Sequence, residues 1–365
     1  MMIRYTVLYV TPYSVPPSVS TIEPVGSWLV KAWSVTLVQG PPGVDGGCSS
    51  KTSPPLGRQL EQCPAGLTSG SRGALYGAAS AGTTSDYCGL IFELQPPTAP
   101  GGAWTEATLY SFSGPPDGCG PVGPPVVAAN GALYGLTSTG GASVYGTLYE
   151  LRPPTAPGGS WSETVLFSFT GAPGPYAGQP TSLVLGANGE IYGTTPSGGT
   201  AAGGLIEFQP PASPGGAWTP VSLYTFPIGG DGSLPTSLIA GPGGRFYGAT
   251  KYGSHFLGAG TIFELRPPAT AGGAWTHKVL LRFDGKNGDV PNPVTLASDG
   301  SLYGSAHSNS ASGGPVYQLS PPSSPGEGWT QTILADFGMY PACGPDSPLI
   351  VRNGNIYGSR TCISW

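Results

Sequence analysis

The sequence predicts an all-β protein, a six-bladed β-propeller of four-stranded antiparallel blades. Two periodic residue series and the strand-and-turn chemistry between them carry that reading. The dipeptide Tyr-Gly recurs at Tyr76, Tyr134, Tyr192, Tyr247, Tyr303 and Tyr357, at intervals of 58, 58, 55, 56 and 54 residues. A tryptophan series, Trp28, Trp104, Trp161, Trp218, Trp275 and Trp329, runs in phase with it, four of its five gaps being 54 to 57 residues. A fixed period of this length marks a supersecondary unit that buries its apolar face against the next copy. Helical periodicity appears nowhere, so the unit is built of strands.

Each copy gives four strand signals. In the third, Trp161 to Phe169 is β-branched and aromatic, and Thr181 to Leu185 follows a Gly/Pro loop. Asn188-Gly189, a dipeptide that suits a type I′ turn, then leads into Glu190 to Thr195, which predicts a tight hairpin. Asn130-Gly131, Gly243-Gly244, Asp299-Gly300 and Asn353-Gly354 stand at equivalent places. The fourth signal is Gly204 to Phe208, matched by Thr147 to Leu151 and Thr261 to Leu265. A stiff connector, Pro153-Pro154 to Gly159 and its equivalents, follows, and proline cannot donate to a ladder. The step from one blade to the next is expected there, giving one domain over 1–365. Its units run from Trp to Trp: 28–103, 104–160, 161–217, 218–274, 275–328 and 329–365. An insertion at 41–63 accounts for the long first interval.

The strand count closes only with help from the amino terminus. Six Trp strands, six strands before the turn and six Tyr-Gly strands are met by five strands of the Phe-Glu-Leu kind. A strand within residues 3–15 is expected to complete the last blade, since closure removes exposed edges. Pairing of the same strand with a second copy of the chain is the alternative.

Composition narrows the function. Charged residues make up 9% and the formal net charge is −5, without the basic patch that nucleic-acid binding needs. No run of 18 apolar residues predicts a membrane span. The opening Met1 to Val10 reads better as a strand than as a signal peptide. Six cysteines in a Gly-, Ser-, Thr- and Tyr-rich chain favour an oxidising, extracellular setting. Of the 15 ways to pair them, the repeat geometry favours Cys48–Cys63 across the insertion, Cys88–Cys119 in two loops at one end of a unit, and Cys343–Cys362 across the last hairpin.

The joint pattern Tyr192-Gly193-Thr194-Thr195, Gly198-Gly199, Gly204-Leu205-Ile206-Glu207-Phe208, Pro210-Pro211, Gly215-Gly216-Ala217-Trp218 and Ser222-Leu223-Tyr224-Thr225-Phe226 resembles the GloVer tandem repeat of bacterial choice-of-anchor surface proteins. The resemblance spans residues 24–365. It implies export and a place at the cell surface, and it implies no particular activity.

Candidate sites are few. The repeated Trp residues and the Tyr-Gly tyrosines are expected to pack blade on blade rather than to stack sugars. The series Glu93, Glu150, Glu207 and Glu264, with Gln318 in the fifth copy, is expected to protect an edge or satisfy backbone. A ring of carboxylates is the sharper reading. The glycines belong to turns, and no catalytic residue, metal site or cofactor is expected; the Asp284 to Asp289 segment lacks the spacing of a calcium loop. What varies is the loop after each Tyr-Gly strand, where Tyr87, Tyr145, Lys251, Tyr252, His255, Phe256 and His307 could contact a ligand. The expected function is an extracellular structural or adhesive module, self-assembling into fibres or a surface layer, whose partners are copies of itself or glycans. A carbohydrate-binding or carbohydrate-active propeller is the alternative.

Overall fold

The computed structural model describes residues 3–12, 33–38 and 63–363 apart from short loop stretches, the longest being 172–180. Of Ile3–Pro12 and Trp33–Val38 it describes backbone pairing. The chain forms two compact units, Gly47–Phe283 and the pair of segments Met1–Gly46 and Asp284–Trp365.

The larger unit holds four four-stranded antiparallel blades. The first is Cys63–Ser69, Leu75–Ser80, Leu90–Gln95 and Thr105–Ser111; the second is Cys119–Val127, Leu133–Thr139, Thr147–Arg152 and Ser162–Ser168. The third is Ser182–Leu185, Ile191–Thr195, Gly204–Gln209 and Thr219–Thr225; the fourth is Ser233–Ala240, Phe246–Tyr252, Thr261–Arg266 and Thr276–Arg282. The smaller unit opens with a fifth blade, whose first strand is divided into Val290–Pro291 and Thr295–Leu296, followed by Leu302–His307, Pro315–Ser320 and Thr330–Asp336. The fold is thus all-β, of the propeller kind, with four-stranded antiparallel blades.

Two expectations about the blades are corrected. Five blades, not six, are drawn whole from consecutive chain. The remaining sheet is composite: Cys343–Pro345 and Ile350–Arg352 pair with Asn355–Ile363, which pairs with Ile3–Pro12, which pairs with Trp33–Val38. In addition, the proline-rich connector is not the step between blades. Ser162–Ser168 pairs with Thr147–Arg152 across Pro153–Gly159, so the connector is a hairpin loop inside one blade and the Trp strand is the outer, fourth strand. Proline is harmless there because the loop lies outside the ladder and no ladder donor is lost. The step to the next blade is the Gly/Pro segment after the outer strand.

The first hairpin differs from a type I′ turn. The Gly131 N–H donates to the Ala128 carbonyl at 2.9 Å and Asn130 Oδ1 accepts from the Ala132 N–H at 3.0 Å. Gly131 has φ +84°, whereas Asn130 is not among the residues at positive φ. This is a three-residue turn closed by a left-handed glycine, repeated at Ala297–Ser301.

Within each unit, consecutive blades pack face to face. Tyr76, Ala78 and Ile91 of the first and Leu133, Tyr149 and Leu151 of the second form one core cluster, with Trp161 against it. Leu136, Leu148 and Phe169 meet Ile191, Ile206 and Phe208, with Trp218 beside them. Leu205 and Phe226 meet Leu238, Phe246, Phe263 and Leu265, with Trp275. In the smaller unit Tyr303, Val316 and Leu334 meet Leu349 and Ile356.

The glycine of Tyr-Gly is not a turn glycine. Its cross-strand partner on the third strand is an aromatic residue in four blades: Gly77 opposes Phe92, Gly135 Tyr149, Gly248 Phe263 and Gly304 Tyr317. A Cβ on Gly135 would run into the Tyr149 hydroxyl oxygen, and one on Gly248 would run into Phe263 Cζ. The aromatic ring lies across the glycine and fills the place a side chain would take. In the third blade Ile206 opposes Gly193, and the ring nearest that glycine is Phe208's, at 3.2 Å from the place of a Cβ.

Candidate ligand-binding face

Threonines fix the loops that leave the Tyr-Gly strands. Thr137 and Thr147 share a buried hydrogen bond of 2.9 Å, and Thr137 Oγ1 donates to the Thr139 carbonyl at 3.0 Å. Thr250 and Thr261 do the same at 2.8 Å, with Thr250 Oγ1 donating to the Tyr252 carbonyl at 2.9 Å. Each loop therefore starts and ends on a fixed strand pair, which is how rigid scaffolds present variable residues.

On this end of the second blade Tyr145 is 42% exposed and Val144 is 61% exposed. Val144 has φ +59°, a conformation that a β-branched residue adopts only under strain. The Tyr145 ring lies over Gly171 so closely that it occupies the place of a Cβ there. On the fourth blade Lys251 Nζ sits 5.3 Å from the centre of the Tyr252 ring, within cation–π range. His307 ends its strand in the other unit, exposed, its carbonyl accepting from the Asp289 N–H at 2.7 Å. Tyr87, His255 and Phe256 lie outside the described residues. The third blade separates Tyr145 from Lys251 and Tyr252, so within the larger unit the described candidates are spread over several blades rather than gathered in one pocket.

The repeated carboxylates are structural partners of the repeated tyrosines. Tyr76 opposes Glu93, Tyr134 opposes Glu150, Tyr192 opposes Glu207, Tyr247 opposes Glu264 and Tyr303 opposes Gln318. The Tyr134 hydroxyl donates to Glu150 Oε1 at 2.9 Å, and Arg152 lies 3.1 Å from Oε2. Burial and the neighbouring Glu150 push the Tyr134 hydroxyl up to about 12, which keeps it a donor. Glu264, 1% exposed, is held by Arg245 at 3.3 Å and Arg266 at 2.8 Å. Gln95 and Gln209, two residues on, donate to Glu93 and Glu207 at 3.0 and 3.4 Å. The expectation that these carboxylates protect an edge is corrected: they lie on the third strand, flanked on both sides, and they tie the second strand to the third.

Trp104 also departs from expectation. It is 49% exposed, while Trp161, Trp218 and Trp275 each pack on a cluster between two blades. Those clusters lie between a tryptophan's own blade and the preceding blade of the same unit. Trp104 belongs to the first blade of its unit. Trp329 is half-buried and Trp28 lies outside the described residues. Of the Tyr-Gly tyrosines, Tyr76, Tyr247 and Tyr303 are buried and Tyr134, Tyr192 and Tyr357 half-buried.

Cys88 and Cys119 form a disulfide with a Cα–Cα distance of 4.3 Å, tying the loop between two strands of the first blade to the segment that enters the second. Cys343 and Cys362 are direct backbone partners in their ladder. Cys63 begins the first blade and Cys48 lies outside the described residues. Asp284 Oδ1 accepts from the Lys286 and Asn287 N–H groups at 3.0 and 3.1 Å, closing a turn.

The sequence matches the Gloeobacter/Verrucomicrobia repeat over residues 63–269 and again over 157–362. The chain belongs to that family. Its repeat is the GloVer repeat, and the two matches overlap because the blades repeat. No curated protein matches the sequence. Among solved structures, a glucose dehydrogenase-type oxidoreductase of Thermus thermophilus is 18% identical, with a TM-score of 0.43 over 71% of this chain and 81% of its own. PorZ, a bacterial surface component of the type-IX secretion system of Porphyromonas gingivalis, is 12% identical, with a TM-score of 0.48 over 87% of this chain. The match spans 40% of PorZ. At these TM-scores neither likeness bears on activity. Among the described residues no helix is long and apolar enough to cross a membrane.

Proposed function

We propose that this GloVer-repeat protein is a non-catalytic extracellular module of structural or adhesive kind that presents variable loops from a repeated frame of blades. The observation that carries this reading is the use of the repeated carboxylates. A glycosidase needs two carboxyl groups free to act on one bond. Here Glu150 and Glu264, the most buried of the series, are bonded to Tyr134 and to arginines. Chemistry that repeats with the blade serves the blade.

The finer reading is that Ile3–Pro12 completes the last sheet by pairing with Asn355–Ile363 within one chain. That pairing spans Ile3 to Val10 in register. A strand supplied by the same chain has a higher effective concentration than one from a neighbour. Electron microscopy and light scattering of the full chain test the module: ordered fibres or a surface lattice support self-assembly, and a monomer that cleaves a polysaccharide overturns the reading.

A second reading, glycan binding, is favoured by the Tyr145 ring, exposed and backed by Gly171. A rigid, exposed aromatic face suits a sugar ring. A glycan array with the chain and its Tyr145→Ala variant tests it; equal binding by both removes Tyr145 from the site.

A further inference from the structure

One position of the repeat meets a different partner in each of three blades. The second residue after the Trp of the outer strand is Glu163 in the second blade, His277 in the fourth and Gln331 in the fifth. Each interacts with a residue of the segment that enters its own blade. Gln331 Oε1 accepts from Asn287 Nδ2 at 3.0 Å, an amide paired with an amide. His277 feels the charge of Asp231, and Asp231 is itself paired with Arg282 at 2.6 Å. Glu163 feels the charge of Asp117, acid against acid. The residue that corresponds to Arg282 in this blade is Ser168, so the seam lacks the cation its counterpart carries.

The geometry leaves both acids partly unsatisfied. Asp117 is 9% exposed; its Oδ2 accepts from the Ser113 N–H at 2.8 Å and the Ser113 hydroxyl at 3.0 Å. Asp117 Oδ1 and Glu163 Oε1 are buried without a hydrogen-bond partner among the described residues. Two phenols adjoin the pair, Tyr110 from the first blade, whose hydroxyl also interacts with Asp117, and Tyr149 from the second; burial first, and then the neighbouring carboxylates, raise both so that they stay neutral. Two like charges at this seam repel unless one of them takes a proton.

We propose that the seam between the first and second blades is a pH-sensitive joint, closed when Glu163 carries a proton and loosened when it ionises against Asp117. Burial, and secondarily the charge of Asp117, raise Glu163 from 4.5 to about 7. A folded-state value above the unfolded one means the stabilisation is complete below about 4.5 and is lost as pH rises through about 7. The part that moves is the segment Phe112–Cys119, anchored at Cys119 by its disulfide. Gly118 of that segment stands 2.7 Å from the place of a Cβ on Gly140, at the base of the loop that carries Tyr145. Loosening the joint frees the support of that loop. The joint itself does not depend on Tyr145 binding anything.

The test is thermal unfolding from pH 5 to 9, with hydrogen exchange of residues 112–119, for the whole chain and its Glu163→Gln and Asp117→Asn variants. The expected result is a fall in Tm on the order of 2 °C in the wild type that is absent from Glu163→Gln. Faster exchange in 112–119 accompanies it above neutral pH. Asp117→Asn keeps the acceptor for Ser113 and moves the midpoint to lower pH, which serves if Glu163→Gln does not fold. Parallel profiles for all three proteins overturn the proposal. So does a wild-type fall that millimolar calcium abolishes at pH 8, since the seam is then a cation site.

Discussion

The residue that most defines the repeat, the glycine of Tyr-Gly, is legible in the sequence as a period but not in its role, which is packing rather than turning. Its cause is an aromatic ring one strand away, so no local pattern shows it. The signal that could have found it is the aromatic residue before the repeated glutamate or glutamine: Phe92, Tyr149, Phe263 and Tyr317. Gly135→Ala drives a methyl into the hydroxyl oxygen of fully buried Tyr149. It is expected to cost about 1–3 kcal/mol in urea unfolding, the range of an overpacked core. Glu264→Ala, which leaves Arg245 and Arg266 facing each other without their carboxylate, is expected to cost about 2–3 kcal/mol. His277 is stacked on Tyr224 at 5.3 Å and lies edge-on to Phe226 at 5.4 Å. Burial lowers its pKa below 6.5. Its contribution is therefore present above about 6.5 and lost as pH falls below that value. The His277→Phe variant should lose less stability than wild type between pH 7 and 5, measured by thermal unfolding. This slope is opposite in sign to that of Glu163, so the two variants separate contributions that partly cancel in the wild type.

At the scale of the element, strands and hairpins are legible where alternation and turn residues agree, and the assignment of connectors to seams is not. Proline predicts only that a ladder stops. It is silent on whether the next strand returns to the same sheet. Pairing also reveals a feature invisible in composition: the outer strand of each of the five whole blades carries a one-residue register shift, at Leu109, Leu166, Leu223, Leu280 and Leu334. The extra residue turns that leucine toward the blade, and Leu280 and Leu334 are 8% and 7% exposed. A bulge also twists the edge and makes it a poor template for strand addition. Deleting Leu280 should shift the register of Thr276–Arg282 and expose its side chains to the wrong face. The check is far- and near-ultraviolet circular dichroism together with binding of a hydrophobic dye, which should rise. The left-handed Gly131 gives a smaller effect: Gly131→Ala should cost about 1 kcal/mol in the same unfolding assay.

For the molecule as a whole, the sheet left one strand short by the repeat count is completed by the amino terminus. Deleting residues 1–16 removes the ladder partner of Asn355–Ile363 and should abolish slow amide exchange in that strand. Retained protection there would show that the pairing is dispensable, and fibres lost with the fold intact would place the strand in a neighbouring molecule. By itself the sequence determined the all-β class, the period, the number of Tyr-Gly strands and the hairpin between the first two strands of a blade. These follow from local chemistry, because a turn residue or an alternation acts on its immediate neighbours. The tertiary structure alone decided which strand closes each blade, why glycine follows tyrosine and which polar residues face each other across a seam. Asp117 and Glu163 stand 46 positions apart in the chain. Only the stacking of one blade on the next, driven by burial of their aromatic faces, sets one acid against the other.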